Sequence, residues 1–165
     1  MTLPITMYID RLPNLKFDLA KLIEEYKSIE DLLTDTENRH WYNVKYCNTI
    51  VQRKFHPILR DVVHPILSEL PYTNSVIQEI FALEKFNSVQ YRVIYPNTCY
   101  NWHVDQGKTC VHIPLITHVG ARFIYENRNF HMPADGSPYV VNNGISHTFA
   151  NAGHEDRVHL TFENL

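Results

Sequence analysis

The sequence predicts an α+β protein, mainly β, in which N-terminal helices pack on the outer face of a sandwich or barrel of short strands. Three observations carry this. Near residue 87 the pattern changes from helix-spaced apolar residues to short β-rich runs. Seven such runs follow, divided by turn residues at the spacing of a sandwich or barrel. Within several runs one face is apolar and the other carries His, Asp and Arg.

The chain has 165 residues, which predicts one domain spanning 1–165, with 1–86 mainly helical and 87–165 a β-core. A chain of this size can bury about 70% of its unfolded surface, so neither disulfides nor a structural metal is needed for stability. Asp18 is placed to cap a first helix, because Leu19, Leu22, Ile23 and Tyr26 recur at helical spacing behind it. Pro57 to Leu67 predicts a second helix, limited or bent by Pro65, and Asn74 to Phe81 predicts a third. The strands are then expected over 89–95, 100–104, 109–115, 121–125, 139–141, 146–150 and 158–162. Turn dipeptides such as Pro96-Asn97, Asp135-Gly136, Asn143-Gly144 and Ala152-Gly153 stand between them.

Composition narrows the function. The net charge of −3 supplies no basic field for phosphates or anionic lipid, which argues against nucleic acid and membrane as partners. Met1 to Ile23 has no uninterrupted apolar stretch, so neither a signal peptide nor a spanning segment is expected, and a cytoplasmic protein is. Cys47, Cys99 and Cys110 lack CxxC spacing, which argues against a disulfide framework and a thiolate zinc site. Ten Tyr and ten His stand out.

Sorting the runs by face locates these histidines. Val158, Leu160 and Phe162 oppose Arg157, His159 and Thr161, and Val111, Ile113 and Leu115 oppose Cys110 and His112. A solvated face would favour Lys, Glu, Ser and Thr. Imidazoles with one acid and one arginine suit a polar cavity better. His103-Val104-Asp105 puts an imidazole and a carboxylate side by side, two of the three ligands of a 2-His-1-carboxylate iron site, and His147 on a later strand can supply the third. The pair alone is weak, since about one His-x-acid is expected by chance at this composition. A second copy, His154-Glu155-Asp156, follows a turn and reads as a solvated loop. Singly, His103 and Asp105 also fit a surface pair, and His147 a satisfied core histidine. Arg157, ten residues after His147 and on the polar face, adds a fork of donors suited to a carboxylate, and a buried arginine without an anion is costly.

Taken in order, these stretches resemble the aspartyl/asparaginyl β-hydroxylase family of Fe(II)- and 2-oxoglutarate-dependent oxygenases. The likeness covers residues 88–163: Tyr91 to Pro96 leading to Trp102-His103-Val104-Asp105, then His112 to Leu115, Ser146 to Asn151 and Arg157 to Phe162. The resemblance implies a double-stranded β-helix (jelly roll, cupin-like) with helices outside. It implies His103, Asp105 and His147 as iron ligands, Arg157 as partner of the distal carboxylate of 2-oxoglutarate, and His112 close to the cosubstrate. Two departures concern that cosubstrate. The animal enzymes of the family have serine at the position of Arg92 and arginine at that of Cys110, so Lys108, Arg92 or Arg122 is expected to compensate, with Arg92 assigned to cofactor binding. A third departure favours activity, because Asp105 supplies a carboxylate those animal enzymes lack.

The implied reaction consumes 2-oxoglutarate and O2 and hydroxylates an unactivated C–H, with succinate and CO2 as co-products. Trp102, Tyr100, Tyr139 and Asn142 are candidates for the substrate rim. Relatives act on peptidyl Asp or Asn, free amino acids such as proline, and acyl chains, and the expected substrate here is a free amino acid or a peptide side chain. The alternative is a non-catalytic metal-binding or ligand-binding jelly-roll module. A hydrolytic Zn or Mn cupin is a weaker third, because a hydrolase has no evident need for Arg157.

Overall fold

Asp18 sits where a helix start needs an acceptor. Its backbone is extended and its Oδ1 accepts from the N–H groups of Ala20 (3.1 Å) and Lys21 (3.3 Å), which opens helix α1, Leu19–Ile29. The structure is a computed structural model and describes residues 3, 6–30, 53–60, 62–63, 65–105 and 109–164. Helix α2, Pro71–Phe81, starts three residues before the expected Asn74, because Pro71 takes its first turn. Glu25 of α1 caps it: its carboxylate accepts from the N–H groups of Tyr72 and Thr73, each at 2.7 Å.

The helix expected over Pro57 to Leu67 is not formed. Strand β2, Arg53–Arg60, pairs with β4, Ser88–Ile94, and the register shifts between Pro57 and Leu59, where proline cannot donate to the ladder. Strand β3, Val62–Val63, and a short 3-10 helix, Pro65–Glu69, follow. Backbone pairing along β4 outweighs the local apolar spacing in this stretch.

The remaining strands are β1 (Ile9–Arg11), β5 (Thr98–Cys99), β6 (Thr109–Ile116), β7 (Ala121–Tyr125), β8 (Arg128–Phe130), β9 (Tyr139–Asn142), β10 (His147–Asn151) and β11 (Arg157–Glu163). Of the expected strand over 100–104 only one isolated bridge forms, between His103 and His147, and the two-residue strand β5 precedes it. A seven-stranded sheet has the order β1-β9-β6-β11-β4-β2-β3, and a four-stranded sheet has the order β5-β10-β7-β8, with all pairings antiparallel. From β4 onward the chain passes between the two sheets in the manner of an eight-stranded jelly roll.

Alternation divides the large sheet by residue parity. Val89, Tyr91 and Val93, Val111, Ile113 and Leu115, and Val158, Leu160 and Phe162 join one buried cluster with Leu22, Tyr26, Val76, Ile77 and Ile80. The rings of Tyr26 and Tyr91 lie 5.1 Å apart, and those of Phe81 and Phe162 6.4 Å apart. Each such large apolar side chain contributes about 1.5–3 kcal/mol when fully buried. The other parity faces the four-stranded sheet across a smaller cluster that includes Ile94, Cys110, Phe123, Tyr125 and Phe149. At one end of the sandwich Asn151 fastens the sheets together. Its Nδ2 donates to the carbonyls of Ile94 and Glu155, both at 2.9 Å, and its Oδ1 takes the His118 imidazole (2.6 Å) and the Gly153 N–H (3.2 Å). A Cβ on Gly153 would fall 1.8 Å from His118 Nε2, which explains the glycine. Among the described residues no helix is long and apolar enough to cross a membrane.

Candidate metal centre

His103 and His147 are brought together by reciprocal backbone hydrogen bonds (3.0 and 2.9 Å), and their rings lie 4.3 Å apart. Each Nδ1 faces a backbone carbonyl, Asn101 at 2.7 Å and Ile145 at 2.8 Å. A carbonyl only accepts, so Nδ1 carries the proton in both rings and each Nε2 presents a lone pair. Both lone pairs face Asp105, at 3.7 Å from Oδ1 for His103 and 3.8 Å from Oδ2 for His147. Ligand atoms of all three residues lie within 4.8 Å of one another. Three acceptors without a donor among them suit a divalent cation. The outward Nδ1 bonds fix the ring orientations such a site needs. Burial lowers the pKa of His147, which keeps the ring neutral and able to ligate.

Asp105 is held by Asn143, a residue the sequence did not single out. The Asn143 Nδ2 donates to Asp105 Oδ2 (3.0 Å), and the Asp105 N–H donates to the Asn143 carbonyl (3.0 Å). Phe123 stacks on His147 with ring centroids 4.9 Å apart and planes at 16°. The decoy His154 is exposed in the turn before β11, as expected.

Arg157, His112 and Arg92 line the same cavity as His103 and His147. Its enclosed volume is about 10 Å³, room for about one water, so larger ligands require side chains to move. Arg157 is 4% exposed and has no carboxylate within salt-bridge distance among the described residues. It rests on His159, Nε donating to Nε2 at 3.1 Å with Nη2 2.7 Å from Nδ1, and its guanidinium lies 5.6 Å from the centre of the Phe149 ring. A neutral imidazole has one acceptor nitrogen, so only one of the two contacts is a full hydrogen bond. Burial pushes the Arg157 pKa down to about 9, with Arg92 adding repulsion; this buried cation has donors to spare for an anion. His112 Nδ1 lies 3.1 Å from His159 Nδ1 and His112 Nε2 lies 3.2 Å from Cys110 Sγ. Burial, followed by Arg157, holds both imidazoles well below their ordinary pKa and therefore neutral.

The family model described as Aspartyl/Asparaginyl beta-hydroxylase matches residues 16–164. The chain belongs to the aspartyl/asparaginyl β-hydroxylase family. No curated protein sequence matches it significantly. Among solved structures it is similar to a 2OG-Fe(II) oxygenase family oxidoreductase from Burkholderia pseudomallei, with 15% identity, TM-score 0.61, and 94% of this chain and 84% of that one covered. It is also similar to a Pseudomonas putida prolyl-4-hydroxylase, with 17% identity, TM-score 0.56, and coverage of 96% and 94%. A viral collagen prolyl hydroxylase from Paramecium Bursaria Chlorella virus-1 shows 10% identity, TM-score 0.55, and 96% coverage of both chains. At these identities the likeness is one of fold.

The other residues expected at the site of this β-hydroxylase family member take varied places. Trp102, 54% exposed, flanks His103 at the surface, and Tyr100 meets His103 edge-on at 4.7 Å while stacking on Phe149. Asn142 does different work: its Nδ2 lies 3.3 Å from the carbonyls of Thr6 and Met7, and its Oδ1 accepts from Gly144 N–H, so it ties down the N-terminal segment. Tyr139 is buried in the cluster between the sheets rather than on the cavity wall. Arg122 alternates with the buried Ala121 and Phe123, which turns it away from the cavity, and Lys108 lies outside the described residues. Arg92 is ion-paired with Glu163, an acid that carried no signal in the sequence.

Proposed function

We propose that this family member is an Fe(II)- and 2-oxoglutarate-dependent hydroxylase, with the metal on His103, Asp105 and His147 and the cosubstrate anchored by Arg157. The observation that carries this is the convergence of two imidazole lone pairs and a carboxylate without a donor between them. Iron is favoured over zinc because this ligand set leaves open positions for a chelating cosubstrate and O2. Bound there, the iron with 2-oxoglutarate and O2 supplies the oxidising power to hydroxylate an unactivated C–H, with succinate and CO2 as co-products.

The chain's own residues do the rest. Asn143 orients Asp105, and Phe123 and Phe149 line the cavity with apolar rings that exclude water. Arg157 offers its donors to the distal carboxylate, beside the neutral His112 and His159. Tyr100 and Trp102 form the rim where substrate meets the metal. Two structural neighbours are prolyl hydroxylases, which supports an amino acid or peptidyl residue as substrate. In this reading α1 and α2 buttress the outer face of the large sheet, as the Tyr26–Tyr91 and Phe81–Phe162 contacts support.

The test is anaerobic addition of Fe(II) and 2-oxoglutarate, read as the visible charge-transfer band of the chelated metal, with His103→Ala as control. A band in the wild type alone is the expected result. Iron binding without a band overturns the oxygenase reading and leaves a metal-binding module.

A further inference from the structure

Arg92 on the cavity wall belongs to a charged pair that the metal centre does not use. Arg92 on β4 and Glu163 at the end of β11 form an ion pair with side chains 16% and 7% exposed. Strand direction places it. Asn151, at the end of β10, bonds to Ile94, the register partner of Arg157, so the end of β10 and the start of β11 lie together. His147 starts β10 and Glu163 ends β11, so Glu163 lies toward the metal-ligand end and Arg157 at the opposite one. Cys110, next to Val111 whose register partner is Phe162, lies at the same end as Glu163. Burial raises its thiol pKa, and Glu163, Arg92 and Asp105 all act on the same sulfur.

A second group points to a ligand. Asn143 is 3% exposed and lines the cavity, and while its Nδ2 holds Asp105, its Oδ1 is buried with no hydrogen-bond partner among the described residues. An unfilled buried acceptor is costly, and a buried ion pair recovers little of its desolvation penalty. One guanidinium, one carboxylate and one spare amide oxygen complement a molecule that carries a carboxylate and an ammonium on neighbouring atoms. We propose that Arg92, Glu163 and Asn143 receive the head group of a free α-amino acid, Arg92 taking the carboxylate and Glu163 with Asn143 Oδ1 taking the ammonium. This rests on the hydroxylase reading and names its substrate class.

The exchange balances charge, because a zwitterion replaces each member's partner and adds no net charge to the interior. Glu163 stays anchored through it: Gln90 Nε2 donates to Oε1 at 3.3 Å, Thr161 Oγ1 lies at the same distance and shares its one proton between Oε1 and the Gln90 carbonyl, and Oε2, which faces Arg92, is the oxygen released. A peptidyl residue has neither charge and would leave the pair closed.

The test is anaerobic calorimetry on protein loaded with Fe(II) and 2-oxoglutarate, titrated with each of the standard L-amino acids and with its N-acetyl amide. The amides keep the side chain and lack both charges. At least one free amino acid is expected to bind, and its amide to bind at least about tenfold more weakly. The Arg92→Gln/Glu163→Gln double variant, which leaves no lone buried charge, is expected to lose affinity for that amino acid by a similar factor. The wild-type comparison needs no variant, so poor folding of the double variant does not decide the outcome. Equal binding of amino acid and amide, or no binding of any amino acid, overturns the receptor. With the charge-transfer band present, either result breaks the receptor alone; a missing band breaks the oxygenase reading itself.

Discussion

Along β11, Val158, Leu160 and Phe162 point one way and Arg157, His159 and Thr161 the other, and β6 and β4 repeat the division. The first set is buried with helix residues and contributes hydrophobic stability. The second set is equally buried and spends its contacts on polar partners: Arg157 on His159, Thr161 on the Gln90 carbonyl, His112 on Cys110. Burial alone therefore does not separate core from site. Residue parity does, and neighbouring positions on one strand should give opposite phenotypes.

The sharpest break is His147→Ala, which should remove iron-dependent turnover while shifting the melting temperature little; full activity in this variant would end the ligand assignment. On the other face, Ile113→Ala should cost about 2–5 kcal/mol in denaturant unfolding and leave the affinity for 2-oxoglutarate unchanged. A stability loss well under that range would show that the outer face is not the main support. Arg157→Ala should weaken 2-oxoglutarate binding by about 30-fold, roughly 2 kcal/mol, through the lost charged hydrogen bonds; an unchanged apparent affinity removes Arg157 from the cosubstrate site.

The smallest effect is a pH slope. His112 and His159 are neutral inside, with folded pKa values well below the ordinary one. Below about pH 6.5 the unfolded chain takes up protons the folded chain refuses, so stability falls by up to about 1.4 kcal/mol per pH unit for each histidine. The contribution is fully present above the ordinary imidazole range and is lost on acidification. Replacing both by Asn should flatten the slope, whereas Ile113→Ala should leave it. An equal slope in the Asn variant would assign the acid sensitivity elsewhere.

The sequence showed most of what lies within one strand or one helix. The Asp18 cap, the faces of β6 and β11, and the dismissal of His154 follow from local spacing. What it hid depends on distant partners. Pro57 to Leu67 has spacing that fits a helix until β4 offers its edge. Asn143 reads as half of an Asn-Gly turn, and only the fold brings it to Asp105, 38 residues away. Glu163 looks like a terminal acid until it meets Arg92, 71 residues earlier. β1 and β8, at three residues each, are too short for alternation to register.

Asn151 carries a dynamic consequence. Its bond to Ile94 joins the two sheets at the end that holds Arg157 and its other three bonds gather the adjoining loops, while at the metal end Tyr125 Oη, 3.1 Å from the Asn142 carbonyl, joins the sheets a second time. With both ends tied, the freedom left to the sandwich lies in the exposed segment that carries Trp102 and Val104 beside the histidines. The molecule is laced at both ends, and amide hydrogen exchange should be slow beside Asn151 and Asn142 and fastest in the segment around Trp102 and Val104, through which a ligand enters.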